Sequence, residues 1–297
     1  MAQSVLYFLQ TEGNKIIRLD LRDFSQTVIM GPVPGMLDGI VADTENRVIY
    51  WTNMGEAPFT EKDGAVGCCG LRGENPQLLI PPGIFMTGKQ LFLHHSRQEL
   101  YWCDREGGAV MRCTTAGENI QIIVSRRSAG STVADIADQC VGIAVDTLNN
   151  DLYWAQKGAS KGGQGRIFRL SLDKFSDGKE INDADISVLL SGLPEPIDLS
   201  LDLQNGRLYW TDRGAPPDGN SLNVADFNES GLHNHRVIAR GFREAIGLAM
   251  DTDDDLAYVA DLSGCIYKVN LSDGRKKLFI SREPLPELRW PGNRKAA

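Results

Sequence analysis

Two aspartates stand where a carboxyl group could perform acid–base chemistry. Asp38 and Asp198 each lie at the start of a short apolar segment that recurs along the chain, and the other copies carry neutral residues there. In a semi-enclosed site, burial and a neighbouring charge raise the pKa of such a group, which then serves as a general acid or base. The sequence therefore predicts Asp38 and Asp198 as catalytic residues. The alternative is a carboxylate that only accepts hydrogen bonds from loop amides.

Further candidates lie in the same register or on the loops beside it. Arg289, near the end of the chain, is a third predicted catalytic residue, and its neighbour Trp290 either lines the site or packs into the last element. Apolar side chains would shape a cavity, and a few polar ones would polarise a bound carbonyl group. The predicted substrate-binding residues are Met54, Phe59, Met86, Thr87, Gln139, Cys140, Ile197, Ile246 and Trp290.

Several other chemistries are disfavoured by residue type and position. His94, His95, His233 and His235 fall in predicted turns or connections on the face opposite to Asp38 and Asp198. A Ser-His-Asp or Cys-His arrangement and a histidine-based zinc site therefore do not fit. The chain has neither a P-loop nor a dinucleotide-binding fingerprint between a strand and a helix. We expect no cofactor and no metal.

Composition limits the partners. The 297 residues carry a net charge of −8, and the pI is near 5.1, which disfavours binding to nucleic acid or to an anionic membrane surface. No apolar run approaches a spanning helix, and the first residues do not form a signal-peptide pattern, so we expect a cytoplasmic protein. The alternatives are a removed leader and a secreted form.

The six cysteines are too sparse for a disulfide scaffold, and we expect mostly buried free thiols. We expect a monomer or a weak homodimer.

The elements that would position these side chains are repeats. Six segments share an aromatic-centred strand, and their tyrosines recur at intervals of 43, 51, 52, 56 and 49 residues. Five apolar strands end seven residues before a tyrosine, and two further short strands follow each aromatic one. Four short strands in each repeat of this length predict an all-β fold, a six-bladed β-propeller of four-stranded antiparallel blades. The aromatic segments are residues 6–8 (LYF), 49–53 (IYWTN), 100–104 (LYWCD), 152–156 (LYWAQ), 208–212 (LYWTD) and 257–261 (AYVAD).

These segments resemble the YWTD, or class B, repeat of the low-density lipoprotein receptor family. Residues 208–212 match the motif fully, the others depart at one to three positions, and the resemblance covers nearly the whole chain. It implies a single propeller domain over residues 1–297. It also implies that the aspartates closing the motifs, Asp104, Asp212 and Asp261, tie blades together. Asp43, Asp146, Asp202 and Asp251 at the far ends of the apolar strands are expected to be scaffold residues as well.

The first repeat lacks its innermost strand, because counting back from Tyr7 runs off the chain. A blade without that strand leaves an open edge in the ring. We therefore predict that the fold is closed by pairing of N- and C-terminal strands, with the segment around Leu288, Arg289 and Trp290 supplying the inner strand and Pro291 ending it.

Four enlarged connections are predicted to lie on one face of the propeller. They are residues 54–65, 157–165 and 213–220, each between the second and third strands of a repeat, and the linker 126–138. Loops that ring the channel of a propeller are where function usually gathers. The pattern favours a walled small-molecule site over the channel mouth, and ordinary loop variation is the alternative.

The functional resemblance is to stand-alone propellers such as the hetero-Diels–Alderases of tropolonic sesquiterpenoid biosynthesis, with strictosidine-synthase-like enzymes as more distant relatives. It implies a cofactor-free cycloaddition of an o-quinone methide-type oxadiene with a terpenoid alkene. That reaction needs an apolar cavity, a few hydrogen-bond donors and one acid. One alternative is a non-catalytic YWTD propeller that binds a protein or ligand. A second is a metal-dependent lactonase or hydrolase, for which the inner strands offer Asp38 and Asp198 but no asparagine.

Overall fold

Six antiparallel sheets are arranged as blades around one axis. The computed structural model describes residues 5–175 and 181–281, and these form five four-stranded sheets and one three-stranded sheet. The innermost strands of successive blades contact one another in chain order. The predicted all-β six-bladed propeller is therefore confirmed.

The blades are numbered in chain order, and within blades 2–6 the strands run from the axis outwards. Blade 1 contains β1 (Val5–Gln10), β2 (Lys15–Asp20) and β3 (Gln26–Met30). Blade 2 contains β4 (Leu37–Asp43), β5 (Val48–Asn53), β6 (Ala65–Gly70) and β7 (Gln77–Ile80). Blade 3 contains β8 (Gly88–His94), β9 (Glu99–Asp104), β10 (Ala109–Thr114) and β11 (Gln121–Ser125).

The remaining blades follow the same plan. Blade 4 contains β12 (Cys140–Asp146), β13 (Asp151–Gln156), β14 (Gly165–Ser171) and β15 (Ile186–Leu193). Blade 5 contains β16 (Pro196–Asp202), β17 (Arg207–Asp212), β18 (Ser221–Asn228) and β19 (Gly231–Arg240). Blade 6 contains β20 (Ala245–Asp251), β21 (Leu256–Asp261), β22 (Ile266–Asn270) and β23 (Lys276–Ile280). Short 3-10 helices lie at His95–Arg97, Ile136–Asp138, Leu172–Lys174 and Asp183–Asp185.

The aromatic motif forms the second strand of each blade and supplies the core. Successive side chains of a strand point to opposite faces of the sheet, yet Tyr101 and Trp102 are both fully buried, as are Trp154 and Trp210. Both faces are covered because each blade packs between two others. The tyrosine and the tryptophan therefore fill two different inter-blade cores, which explains why both positions are large and apolar.

Hydroxyl groups in the motif join neighbouring inner strands. Thr52 Oγ1 accepts a hydrogen bond from the Gly39 amide at 2.8 Å and donates to the Lys89 carbonyl oxygen at 2.7 Å, which links β4 to β8. Thr211 Oγ1 links β16 to β20 in the same way, accepting from Asp198 N and donating to Ile246 O. These bonds satisfy backbone groups on two blades at once.

The motif aspartates are structural, but their hydrogen bonds hold the linker and the turn of their own blade and do not join two neighbouring sheets. Asp212 accepts hydrogen bonds from the backbone amides of Glu195 and Gly214, at 3.0 and 2.8 Å, and so ties the linker before the blade to the turn after the motif. Asp104 accepts in the same way from Thr87 N and Gly107 N. Burial raises the pKa of Asp212 to about 6 despite these bonds.

The aspartates at the opposite ends of the inner strands hold turns. Asp43, Asp146 and Asp202 each accept a hydrogen bond at 3.0 Å from the amide three residues later. They are scaffold residues, as predicted. His94 and His95 lie at this far face, whereas His233 and His235 lie inside β19 and not in a connection before it. A tight turn at Glu229-Ser230 lets β19 begin at Gly231, so both histidines are strand residues.

Blades 1 and 6 meet at the seam of the ring. The rings of Phe24 in blade 1 and Phe279 in blade 6 lie 5.5 Å apart between centroids. Every residue of β1 is only half-buried, and within residues 5–175 and 181–281 β1 pairs with β2 alone. The predicted closing segment around Leu288–Trp290 lies outside the described residues.

The six cysteines are free thiols, five of them buried, as expected from their number. In the part of the chain that the structure describes, no helix has the length and apolarity needed to cross a membrane.

Candidate functional site

The inner strands and the long connections share one face. Because the strands of a blade alternate in direction, β4, β8, β12, β16 and β20 begin at the same face on which the second strand of each blade ends. The connections 54–64, 157–164 and 213–220 leave from that face, and the linker 126–139 arrives at it. We call the region where the inner strands begin the channel mouth.

Three ionisable side chains meet in the channel just below the mouth. Asp38 on β4 forms an ion pair with Lys89 on β8, and Asp198 on β16 interacts electrostatically with both. The side chains of Lys89 and Asp38 are 12% and 24% exposed, so the pair is poorly hydrated. The sulfur of Met54 lies 3.7 Å from Lys89 Nζ and covers the pair on one side. The structure thus brings together the two aspartates selected from the sequence.

The environment of Asp198 favours its neutral form. Burial, followed by the negative charge of Asp38, raises the pKa of this carboxyl group to about 8, and Lys89 and the Leu248 backbone only partly oppose the shift. Asp198 is half-buried in the channel, and burial is the largest of these effects. Asp198 is therefore largely a carboxylic acid at neutral pH, able to donate a hydrogen bond or a proton.

A glutamine bridges the channel beside these groups. Gln90 on β8 accepts hydrogen bonds from Ile143 N at 2.7 Å and Leu199 N at 2.9 Å, and it donates to Leu199 O at 2.8 Å. One side chain thereby links the inner strands of blades 3, 4 and 5. Since Leu199 follows Asp198 directly, the bridge fixes the backbone that carries the acid.

Lys89 and Gln90 are functional candidates that the sequence prediction missed. Asp38 stands five residues before Asp43, and the residue five before His94 is Lys89, so Lys89 and not Thr87 is the counterpart of Asp38. Thr87 stands one residue before its inner strand, is fully buried, and hydrogen-bonds to Glu106. The repeat register contained the signal that identifies Lys89.

A second charged group surrounds the mouth itself, and we call it the mouth cluster: Arg105, Glu106, Lys157, Glu195 and Arg213. Arg105 Nε lies 2.6 Å from Glu106 Oε1, and Arg213 Nη2 lies 2.7 Å from Glu195 Oε1. Lys157 Nζ lies 3.9 Å from Glu195 Oε1 and also interacts with Arg105, Glu106 and Arg213. Burial, assisted by the two arginines, lowers the pKa of Lys157.

The basic members of the mouth cluster share one position in the repeat. Arg105, Lys157 and Arg213 each follow the last residue of the aromatic motif in three consecutive blades. The backbone amide of Arg105 donates a hydrogen bond to the carbonyl oxygen of Thr87, and that of Arg213 donates to the carbonyl oxygen of Glu195, both at 3.0 Å. These two arginines therefore occupy equivalent places in blades 3 and 5. The arginine of blade 3 also lies over the ring of Phe59 at 5.3 Å, which holds the connection 54–64 against the cluster.

The other predicted substrate-binding residues differ in accessibility. Phe59 and Ile246 are half-buried at the mouth, and Ile197 and Gln139 are 6% and 8% exposed. Met54 is 3% exposed. Cys140, Met86 and Thr87 have almost no accessible surface in this arrangement of the chain, and the contact of these residues with a substrate stays a prediction. All three stand beside the start of an inner strand, where the linker packs inward and buries the side chain.

Two predicted site residues, Arg289 and Trp290, lie outside the described residues, and other candidate features lie away from the channel mouth. Within residues 5–175 and 181–281, no three His, Cys, Asp or Glu side chains converge as metal ligands would. A polar groove of about 420 Å³ lies at the opposite face of blade 3, where it includes Glu99, Arg112 and Asn119 and is remote from the channel mouth.

No family model matches the chain. Over 270 residues it is 42% identical to a Pyricularia oryzae protein named low-density lipoprotein receptor-related protein 1, and the match covers 86% of this chain and 84% of that protein. Over 266 residues it is 37% identical to the 3-hydroxyacyl-CoA dehydrogenase-like protein LAM1 of Cochliobolus heterostrophus. That match covers 86% of this chain but 55% of LAM1, so the chain spans about half the length of this relative.

Solved structures share the fold at low sequence identity. A chain of the nidogen/laminin complex superposes with a TM-score of 0.71 at 18% identity, covering 93% of this chain and 92% of that one. A gluconolactonase of Xanthomonas campestris gives 0.59 at 15% identity, covering 84% and 76% of the two chains. A luciferin-regenerating enzyme gives 0.57 at 13%, covering 91% and 78%. At these identities the likeness concerns the fold alone, whereas the match to the Pyricularia protein extends over most of both chains. This six-bladed propeller therefore belongs to the family of the Pyricularia oryzae protein named low-density lipoprotein receptor-related protein 1.

Proposed function

We propose that this chain converts a small organic molecule at the channel mouth by acid-assisted, cofactor-free chemistry, and that the reaction is a hetero-Diels–Alder cycloaddition. The observation that carries the proposal is the meeting of Asp198 with the Asp38–Lys89 ion pair, from three different blades, below the enlarged connections. A poorly hydrated channel with one protonated acid is suited to a reaction that needs positioning and one hydrogen-bond donor.

Asp198 is the acid in this proposal. With a pKa of about 8, roughly nine in ten molecules carry a neutral carboxyl group at pH 7. Its O–H donates a hydrogen bond to the carbonyl oxygen of an oxadiene. That bond draws electron density from the diene and lowers the barrier to attack by an electron-rich alkene.

Burial is the main cause of the raised pKa of Asp198, and Asp38 and Lys89 modify that pKa in opposite directions. The negative charge of Asp38 raises the pKa of Asp198, and the positive charge of Lys89 lowers it. The ion pair holds the two charges in fixed positions. Replacing Asp38 by asparagine removes the first effect and leaves Lys89 unopposed, so the pKa of Asp198 decreases for both reasons.

The same acid can form the oxadiene from a 2-(hydroxymethyl)phenol. Asp198 donates its proton to the benzylic hydroxyl group, the C–O bond breaks, and water leaves. The phenolic proton then returns to the Asp198 carboxylate, which leaves an o-quinone methide and a reprotonated acid. Cycloaddition forms one C–O and one C–C bond to the alkene without any further proton transfer.

Product stereochemistry tests this proposal. The purified protein is incubated with 2-(hydroxymethyl)phenol and an achiral sesquiterpene alkene, and the enantiomeric excess of the dihydropyran adduct is measured, since the uncatalysed reaction of two achiral partners gives a racemate. We expect an enantioenriched product from the wild type and from Asp254→Asn, an exposed control in a turn. We expect a racemate from Asp198→Asn. A racemic product at the background rate from the wild type contradicts the enzyme proposal.

Binding without catalysis is the second candidate. It is supported by the receptor-related name of the Pyricularia relative and by the nidogen/laminin complex, in which a propeller of this fold occurs in a protein complex. The metal-dependent lactonase alternative has less support, because the ammonium group of Lys89 lies against Asp38 and no ligand cluster is found within residues 5–175 and 181–281. A racemic product together with a stable, stoichiometric protein partner would favour binding.

A further inference from the structure

Lys157 is a buried ammonium group whose hydrogen-bonding capacity is not met by the protein. Its side chain is 9% exposed, and its Nζ donates to the carbonyl oxygen of Gly158 at 3.1 Å. Glu195 Oε1, at 3.9 Å, is beyond hydrogen-bond distance. An ammonium group has three donors, so two of them find no acceptor within the described part of the chain. Buried donors of this kind are costly unless a ligand or water accepts from them.

The cations of the mouth cluster outnumber its carboxylates. Arg105, Lys157 and Arg213 share Glu106 and Glu195 as ion-pair partners. The neighbouring Asp104 and Asp212 interact with these glutamates and accept hydrogen bonds from backbone amides, and burial raises the pKa of both carboxyl groups. The two arginine side chains are 16% and 22% exposed, and Glu195 is fully buried. A positive charge in so poorly hydrated a setting attracts an anion more strongly than the same charge on an open surface.

Lys157 lies between the other members of the cluster. It interacts with Arg105 and Glu106 of blade 3 and with Glu195 and Arg213 at the start and turn of blade 5. Glu195 precedes Asp198 by three residues in the chain, which corresponds to at most about 10 Å along an extended strand. One bound molecule of moderate size can therefore span both groups.

We propose that Lys157, flanked by Arg105 and Arg213, binds an oxyanion, namely a carboxylate or phosphate group of the small molecule whose reacting end lies at Asp198. This assignment deepens the proposed function and rests on it for the identity of the reacting end, whereas binding of the ion itself does not depend on catalysis. The two unmet N–H donors of Lys157 hydrogen-bond to the oxyanion, and the arginines add charge on either side.

Titration with simple ions tests the inference without any turnover. Amide chemical shifts of the protein are followed by NMR during titration with inorganic phosphate and, separately, with benzoate, at ionic strength held constant with chloride. Comparing the two ions distinguishes a phosphate group from a carboxylate. We expect saturable binding of at least one ion, with shifts at Gly158 and Glu195, and an affinity reduced about tenfold or more by Lys157→Met.

Lys161→Met is the matched control. Lys161 lies in the same connection, its side chain is 52% exposed, and it pairs with Glu244 at 3.2 Å. The substitution removes the same charge outside the cluster, so we expect the ion affinity to change less than about twofold. Asp198→Asn should leave ion binding intact, which separates this inference from the catalytic proposal. Absence of saturable binding to the wild type, or equal losses in Lys157→Met and Lys161→Met, overturns the assignment.

Discussion

At the residue scale, the raised pKa of Asp198 makes the stability of the protein depend on pH in a defined direction. The pKa is about 8 in the folded chain against an ordinary value near 3.8, so the folded state holds the proton more tightly. The favourable contribution of this group is complete below about pH 4 and is lost as pH rises towards 8. We expect Asp198→Asn to gain stability relative to the wild type over this range, by at most about 1.4 kcal/mol per pH unit.

Urea denaturation of both proteins at a series of pH values measures this difference. Asp254→Asn serves as the control because Asp254 is an exposed aspartate in the turn before β21. A constant difference between Asp198→Asn and the wild type from pH 4 to pH 8 would show that Asp198 ionises normally. In that case Asp198 would be a carboxylate at neutral pH and could not act as the proposed acid.

Gln90 is expected to contribute strongly to stability although it lies in the channel. Gln90→Met keeps the length of the side chain but leaves the amides of Ile143 and Leu199 and the carbonyl of Leu199 without their partner. We expect a loss of about 2–4 kcal/mol in the free energy of unfolding, measured by urea denaturation. Gln77→Met, at an exposed position on β7, should change it by less than about 0.5 kcal/mol. A loss as small as that of the control would mean that the bridge is not formed.

The residues of the site were predictable only in part. Asp38 and Asp198 could be selected because each is an acidic residue near the start of an inner strand, five residues before Asp43 and four before Asp202. Lys89 could have been found by counting five residues back from His94. The ion pair between Lys89 and Asp38 could not be predicted from the sequence, because side-chain pairing across a channel depends on rotamers and on the spacing of the blades. The position shared by Arg105, Lys157 and Arg213 was readable from the repeats, but nothing in the sequence indicates that Glu195 lies buried between two of them.

At the element scale, the motif threonines are expected to stabilise pairs of blades. Thr52→Val and Thr211→Val keep the shape of the side chain but remove a hydroxyl group that bonds to two inner strands. We expect each to lower the free energy of unfolding by about 1–3 kcal/mol, and the double variant to lose the sum, since the two sites lie in different blades. Thr27→Val on the exposed strand β3 is the control. Equal stability of Thr52→Val and the control in urea denaturation would contradict the bridging role.

The elements themselves followed from sequence because each blade repeats one pattern. The aromatic motif, the apolar inner strand and the turn aspartate recur at fixed offsets, so the strands and the common face of the long connections could be assigned from sequence. The depth of burial at the strand starts depends on packing and not on periodicity. Thr87, Met86 and Cys140 border inner strands as predicted, and the sequence did not indicate that their side chains are buried in the core.

At the scale of the whole molecule, the repeated motif residues specify the six-bladed fold but do not specify an activity. The motif residues are used in holding blades together: tyrosine and tryptophan fill the inter-blade cores, threonine joins inner strands, and aspartate ties linkers to turns. The groups that distinguish this chain are departures from the repeat, namely Asp38, Lys89 and Asp198. Any function of the site therefore rests on residues that the fold does not require.

Closure of the ring is expected to depend on the C-terminal segment. Within residues 5–175 and 181–281, blade 1 has three strands, and β1 occupies the place of a second strand with every residue half-buried. We expect removal of residues 281–297 to abolish the single cooperative transition in thermal unfolding, because an open inner edge exposes apolar surface and unpaired backbone along the channel. Adding residues 281–297 as a separate peptide should restore the transition. Unchanged melting after truncation would contradict closure by this segment, and the inner strand of blade 1 would then have to be supplied in another way.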